Sequence, residues 1–215
     1  MNKKELLIFD CDGVLVDTEP ISARILAQEL RNLGLDLSNE QAIVLFKGGS
    51  LKDAFDYASK ELNKPMPDDL EAVYRKKCFE AFKTEMEPIT GIHDVLNQLA
   101  NRIKCVASNG PANKIKFNLE VCKIEHHFQE SIFSAYDIKK WKPAPDLFLY
   151  AAKTMGFEPE QCIVIEDSDH GIVAARAAGM KVFGYNENGK TLEEFRSLGA
   201  IPFQHMSELP KLLAL

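Results

Sequence analysis

The chain has 215 residues, 46% hydrophobic and 27% charged, enough apolar material for one large α/β domain or a core with a small insert. Acidic residues outnumber basic ones, 32 to 26, for a formal charge of −6. That balance argues against nucleic acid or an anionic membrane as partner, and leaves room for a small molecule held by a few local cations.

Taken in chain order, Leu6 to Phe9 is a short apolar run that stops at Asp10, the pattern of a strand buried on both faces of a parallel sheet. The stretch that follows, from Asp17 to about Pro88, has no good strand. Ile21 to Leu33, Glu40 to Phe46, Leu51 to Leu62 and Pro67 to Phe82 read as helices, with Pro65 and Pro67 breaking the run inside. From Gly91 onward, strands and helices alternate. Ile92 to Leu99 has helical periodicity, Ile103 to Ala107 reads as a strand, and Ile132-Phe133 forms a shorter one. Asp146 to Met155 reads as a helix, Cys162 to Ile165 as a strand, and His170 to Ala178 as a helix closed by Gly179 at the C-cap position. Met180 to Gly184 is a further strand, and Ile201 to Leu215 a last short strand and closing helix. This order predicts a Rossmann-like parallel sheet core, residues 1–16 and 89–215, with a helical cap domain, 17–88, inserted after the first strand.

The five cysteines are odd in number and widely spaced, with no C-x-x-C, which reads as free thiols in a reducing compartment. No signal-peptide pattern opens the chain and no run approaches the ~18 apolar residues of a membrane span. Together these predict a cytoplasmic protein; a monomer or weak oligomer is expected, with no sequence feature that decides between them.

Polar residues gather where the predicted strands end. Asp10 and Asp12 follow the first strand, Ser108 and Asn109 the second, Glu166 and Asp167 the Cys162 strand, and Lys142 lies in the loop after Ile132-Phe133. Open parallel sheets bind ligands at their carboxyl ends, so these segments can meet in one crevice. Their chemistry suits phosphoryl transfer. A carboxylate such as Asp10 can attack phosphorus, and Asp12 can protonate the leaving oxygen and then take a proton from water. Oxygen ligands suit Mg2+, which with Lys142 balances the charge of Asp10, Glu166 and Asp167 so that a phosphate dianion can enter. Taken singly these residues have plain readings: Asp12-Gly13 is a common turn pair, Glu166-Asp167 favours a helix start, and Ser168 caps a loop. It is their joint placement that argues for a site.

The motifs Asp10-Cys11-Asp12-Gly13-Val14, Ser108-Asn109-Gly110, Lys142-Pro143-Ala144-Pro145 and Glu166-Asp167-Ser168, with Gly171 after the last, resemble in order and spacing those of the haloacid-dehalogenase-like superfamily. The resemblance covers the whole chain, and the helical insert resembles that superfamily's cap. It implies a phosphatase with Asp10 as nucleophile and Asp12 as acid/base. It implies that the side chains of Asp10 and Asp167 and the backbone carbonyl of Asp12 hold Mg2+, that Glu166 supports the metal site, and that Ser108, Asn109 and Lys142 grip the phosphoryl group. In the cap, Phe46 to Ser50 resembles the substrate-facing loop and makes Lys47 a second contact to substrate. Haloacid dehalogenases lack the second aspartate of the first motif, and phosphonatases usually carry alanine there; Asp12 argues against both. The β-phosphoglucomutases have a hinge histidine and a cap arginine where this chain has Ser22 and Leu51, so a hexose-phosphate mutase is the alternative and phosphatase is favoured. A non-enzymatic aspartyl-phosphate switch is a second alternative. Receiver-type switches carry their aspartate after a middle strand and lack a large cap. The stretch Ser134 to Pro143 resembles the bacterial 6-phosphogluconate phosphatase group, which points to a sugar phosphate or a phosphorylated sugar acid as the substrate.

Overall fold

The computed structural model describes residues 5–46, 51–186 and 192–213, and divides the chain into two compact units: Met1–Asp17 with Pro88–Leu215, and Thr18–Glu87. The chain enters the first unit through β1 (Leu6–Phe9) and leaves it at β2 (Val16–Asp17). The second unit is helical: α1 (Glu19–Asn32), α2 (Asn39–Phe46), α3 (Leu51–Leu62) and α4 (Leu70–Glu85). The chain returns through β3 (Glu87–Pro88) to α5 (Ile92–Gln98), β4 (Ile103–Ser108), α6 (Ala112–Val121) and β5 (Ile132–Ser134). Next come α7 (Ala135–Ile138), α8 (Asp146–Met155), β6 (Cys162–Glu166) and α9 (Asp169–Ala177), and after them β7 (Lys181–Tyr185), α10 (Leu192–Ser197), β8 (Ile201–Phe203) and α11 (Leu209–Leu212).

Six of these strands form one parallel sheet in the order β5-β4-β1-β6-β7-β8, the α/β architecture expected from the sequence. β1 is central, and all four of its residues are buried, which is why it reads as an unbroken apolar run. Phe9 is in register with Val106 on one side and Ile165 on the other. Asp10, Ser108 and Glu166 therefore emerge at the same edge of three neighbouring strands. Leu6, Ile8, Cys105, Val164, Leu147, Phe148 and Ile172 belong to one core cluster, so helices α8 and α9 pack on this sheet through their apolar faces. Gly179 closes α9 with φ 76°, the left-handed turn that a residue without Cβ adopts at little cost.

The helical unit has its own core around Leu26, Leu30, Leu37, Ala54, Ala58 and Leu70. Here the first and last helices differ from the sequence reading. α1 starts at Glu19 because Pro20 is tolerated in a first turn, where its missing N–H has no intrahelical partner to lose. α4 starts at Leu70, after a turn in which the Leu70 N–H donates to the Pro67 carbonyl. A cavity of about 360 Å³ in this unit is lined by Arg24, Glu29, Arg31 and Lys77. Each of those charges is already engaged: Arg24 with Glu85, Glu29 with Lys77, and Arg31 with the Leu37 carbonyl and Asn39. Lys47 lies outside the described residues. Cys11, Cys78, Cys105, Cys122 and Cys162 are free and buried. Among the described residues, no helix is long and apolar enough to cross a membrane.

Candidate active site

The site is built from the loops that leave β1, β4, β5 and β6. Asp10 is buried directly after β1, its backbone N–H donating to the Ile165 carbonyl at 2.9 Å. Lys142, also buried, lies between two carboxylates, 2.5 Å from Asp10 Oδ1 and 2.7 Å from Glu166 Oε1. Its ammonium also sits 4.8 Å from the centre of the Phe148 ring. Burial opposes the charge on Lys142, but the two carboxylates outweigh it and hold its pKa well above the ordinary lysine value. For Asp10 the balance falls the other way. Burial, reinforced by the charges of Glu166 and Asp12, pushes its carboxyl up to about 7 against the pull of Lys142.

Glu166 is fully engaged. One oxygen takes the lysine; the other accepts from the Asp167 N–H at 2.8 Å, the Ser168 N–H at 2.7 Å and the Ser168 hydroxyl at 2.9 Å. The Ser168 Oγ also accepts from the Gly171 N–H, capping α9. Asp10, Glu166 and Asp167 each offer a carboxylate oxygen, and the three lie within 4.8 Å of one another. That donor set fits a hard divalent cation.

Two glycines make this packing possible. Gly13 has φ 82°, and a Cβ there would collide with the Asp167 carboxylate. A Cβ at Gly171 would collide with the Glu166 carboxylate. Gly171→Ala will therefore push Glu166 off Lys142, lowering stability by about 1–3 kcal/mol. Urea unfolding indistinguishable from wild type would show that Glu166 is not held there.

Ser108 and Asn109, at the end of β4, make different contacts. The buried Ser108 hydroxyl accepts from the Gly110 N–H at 3.1 Å, leaving its proton to donate to a ligand oxygen. Ser134, which the sequence reading did not single out, donates to the Gly110 carbonyl at 2.7 Å and so ties the end of β5 to the same loop. The Asn109 side chain faces the Lys142 backbone, its oxygen accepting from the Lys142 N–H at 2.9 Å and its nitrogen 3.4 Å from the Lys142 carbonyl. This amide positions the lysine loop, in which the Lys142–Pro143 peptide is cis. Asp12 sits beside Asp10, and Lys114 and Asn118 of α6 both donate to its carboxylate. Neither residue was legible as a site residue. The only signal was their i, i+4 spacing on a helix that follows the Ser108 loop.

The chain belongs to the haloacid dehalogenase-like hydrolases: that family's model matches residues 7–185. Within the family it is a phosphatase by its named relatives. It is 35% identical to the 6-phosphogluconate phosphatase of Escherichia coli over 215 residues, covering 99% of this chain and 96% of that one. It is 36% identical over 178 residues to the fructose-1-phosphate phosphatase YqaB of the same organism, covering 81% of this chain and 92% of that one. A solved haloacid dehalogenase-like protein from Agrobacterium tumefaciens matches with a TM-score of 0.88 and 32% identity, over 99% of this chain and 98% of that one.

Proposed function

We propose that this phosphatase hydrolyses small phosphomonoesters, sugar phosphates or phosphorylated sugar acids such as 6-phosphogluconate, through a phosphorylated Asp10. The observation that carries the proposal is the buried Asp10 carboxylate, held by Lys142 on one oxygen with Asp167 and Glu166 at its side. The substrate class rests on the relatives, two of which are named for phosphorylated sugars or sugar acids.

In the first step an Asp10 oxygen forms a bond to phosphorus as the bond to the ester oxygen breaks. The Asp12 carboxyl gives its proton to the departing alkoxide, so the product leaves as an alcohol. In the second step water attacks phosphorus, the bond to Asp10 breaks and its electron pair returns to the carboxylate. The water proton goes to Asp12, which is thereby restored. Lys142 and the Ser108 hydroxyl hold the phosphoryl oxygens through both steps. The side chains of Asp10 and Asp167 and the Asp12 carbonyl would hold Mg2+, with Glu166 supporting them. When bound, the ion shields the anionic nucleophile from the anionic phosphate. Lys47 in the cap is assigned the second contact to substrate. A cytoplasmic, monomeric or weakly oligomeric enzyme fits the buried free thiols and the acidic chain.

The test is phosphate release from a panel of 6-phosphogluconate, hexose phosphates, pentose phosphates and nucleotides, with and without Mg2+. Metal-dependent release from the sugar phosphates and 6-phosphogluconate is expected. Release from nucleotides alone would overturn the substrate class, and no release from any member would return the mutase reading to the front.

A further inference from the structure

Lys114 and Asn118 stand one helical turn apart on α6 and reach the same carboxylate. Lys114 Nζ donates to Asp12 Oδ2 at 2.7 Å, and Asn118 Nδ2 lies 3.2 Å from Asp12 Oδ1. Each oxygen of Asp12 thus has its own donor, one charged and one neutral. The approach is well supported. The Lys114 stem runs along Gly110, where even a single added Cβ would be in van der Waals contact with it. Asn118 is fully buried, and its side chain has no freedom to turn away.

The amide of Asn118 carries a further sign of purpose. Its Oδ1 is buried with no hydrogen-bond partner among the described residues. A buried amide oxygen without a donor is unfavourable, and folding alone would favour an apolar side chain at such a place. The reverse orientation of the amide is worse, because it would set Oδ1 against the Asp12 carboxylate. The amide therefore turns its nitrogen, not its oxygen, toward the carboxylate, and what it presents to Asp12 is a donor.

We propose that Lys114 and Asn118 are positioning residues for proton transfer, gripping the two Asp12 oxygens so that this side chain has one fixed place beside Asp10. The proposal rests on the reading of Asp12 as the group that protonates the leaving oxygen. A carboxyl free to rotate spends less time in hydrogen-bond reach of that oxygen, and the chemical step slows in proportion while substrate binding is untouched.

The test uses two synthetic esters of similar shape, phenyl phosphate and 4-nitrophenyl phosphate, in the full-length enzyme with Mg2+. Phenolate is a poor leaving group and needs the proton; 4-nitrophenolate is a good one and needs it far less. Lys114→Met and Asn118→Leu are measured beside wild type and Asp12→Asn, with melting curves to show that each variant is folded. For Lys114→Met we expect kcat on phenyl phosphate to fall by ~10- to 100-fold, part of the range a general acid contributes, with KM nearly unchanged. On 4-nitrophenyl phosphate the loss should be several-fold smaller. Asn118→Leu should show the same pattern more weakly, and Lys114→Arg should recover much of the rate. Equal losses on both esters, or a raised KM with kcat retained, would overturn the proposal while leaving Asp12 in its role. If Asp12→Asn itself loses equally on both esters, the acid reading of Asp12 fails and this inference goes with it. Asn118→Leu keeps the proposal open to refutation if Lys114→Met does not fold.

Discussion

Lys142→Met will destabilise the protein by about 3–5 kcal/mol at pH 8, the usual cost of removing one partner from a buried ion pair. Among the described residues, Lys142 is the one cation paired with Asp10 Oδ1 and Glu166 Oε1, its ammonium 2.5 and 2.7 Å from them. Without it the two carboxylates repel each other in a site with almost no solvent. Protonating one of them relieves that repulsion, so the deficit will shrink as the pH is lowered. The sign follows from Lys142 itself. Its pKa is raised in the folded protein, so its contribution is fully present below the ordinary lysine value, and at pH 8 wild type keeps all of it. The carboxylates therefore set the window, and Asp10, at about 7 in wild type, will titrate higher once its cation is gone. Urea unfolding of metal-free protein at pH 5.5 and 8.5 measures the difference. Lys142→Arg will not restore stability. A planar guanidinium does not fit a place shaped for a compact ammonium between two carboxylates and the Phe148 ring. Equal unfolding of wild type and Lys142→Met at pH 8.5 would sink the argument.

Asp10→Asn will lose turnover by a factor on the order of 10⁴ or more, as removal of a covalent nucleophile does, while the fold remains. Acid-quenched wild type should carry a phosphoryl group on Asp10 by mass spectrometry, and the variant should carry none. Retained metal-dependent activity in the variant would end the assignment of Asp10 as nucleophile. The same substitution should raise stability when no metal is present. Burial lifts the Asp10 carboxyl from 3.8 to about 7, with Glu166 adding to the lift and Lys142 opposing it. A carboxyl whose pKa is raised on folding gives its full stability below about 3.8, and that stability is lost as pH rises through about 7. Asparagine has no such loss. The variant should therefore melt above wild type at pH 8, and the gap should close toward pH 4. Added Mg2+ should raise the wild-type melting temperature more than that of the variant, because a ligand stabilises the form that binds it better. A wild type that melts higher than Asp10→Asn at pH 8 without metal would contradict this account of the buried carboxyl.

The sequence by itself determined the fold class and the family, and marked the strand ends as the place of the candidate site. Leu6–Phe9 and Asp146–Met155 occur as read, because a strand buried on both faces and an amphipathic helix leave strong local patterns. The motif residues Asp10, Ser108, Lys142, Glu166 and Asp167 were legible for a related reason: each stands at a strand end or in the loop that follows, positions the apolar runs already mark. What local pattern could not carry was decided by tertiary structure. Helices α6 and α10 escaped because their apolar periodicity is short and weak beside that of α8. The clamp on Lys142 depends on β1 and β6 lying side by side in register, which brings together residues 132 and 24 positions away along the chain. The turn of Asn109 toward the Lys142 backbone has the same origin. Lys114 and Asn118 are the clearest case. They look like ordinary polar residues of a surface helix until α6 packs beside the sheet. Only that packing sets them against Asp12, 102 and 106 residues earlier, where desolvation turns a lysine and an amide into fixed donors for one carboxylate.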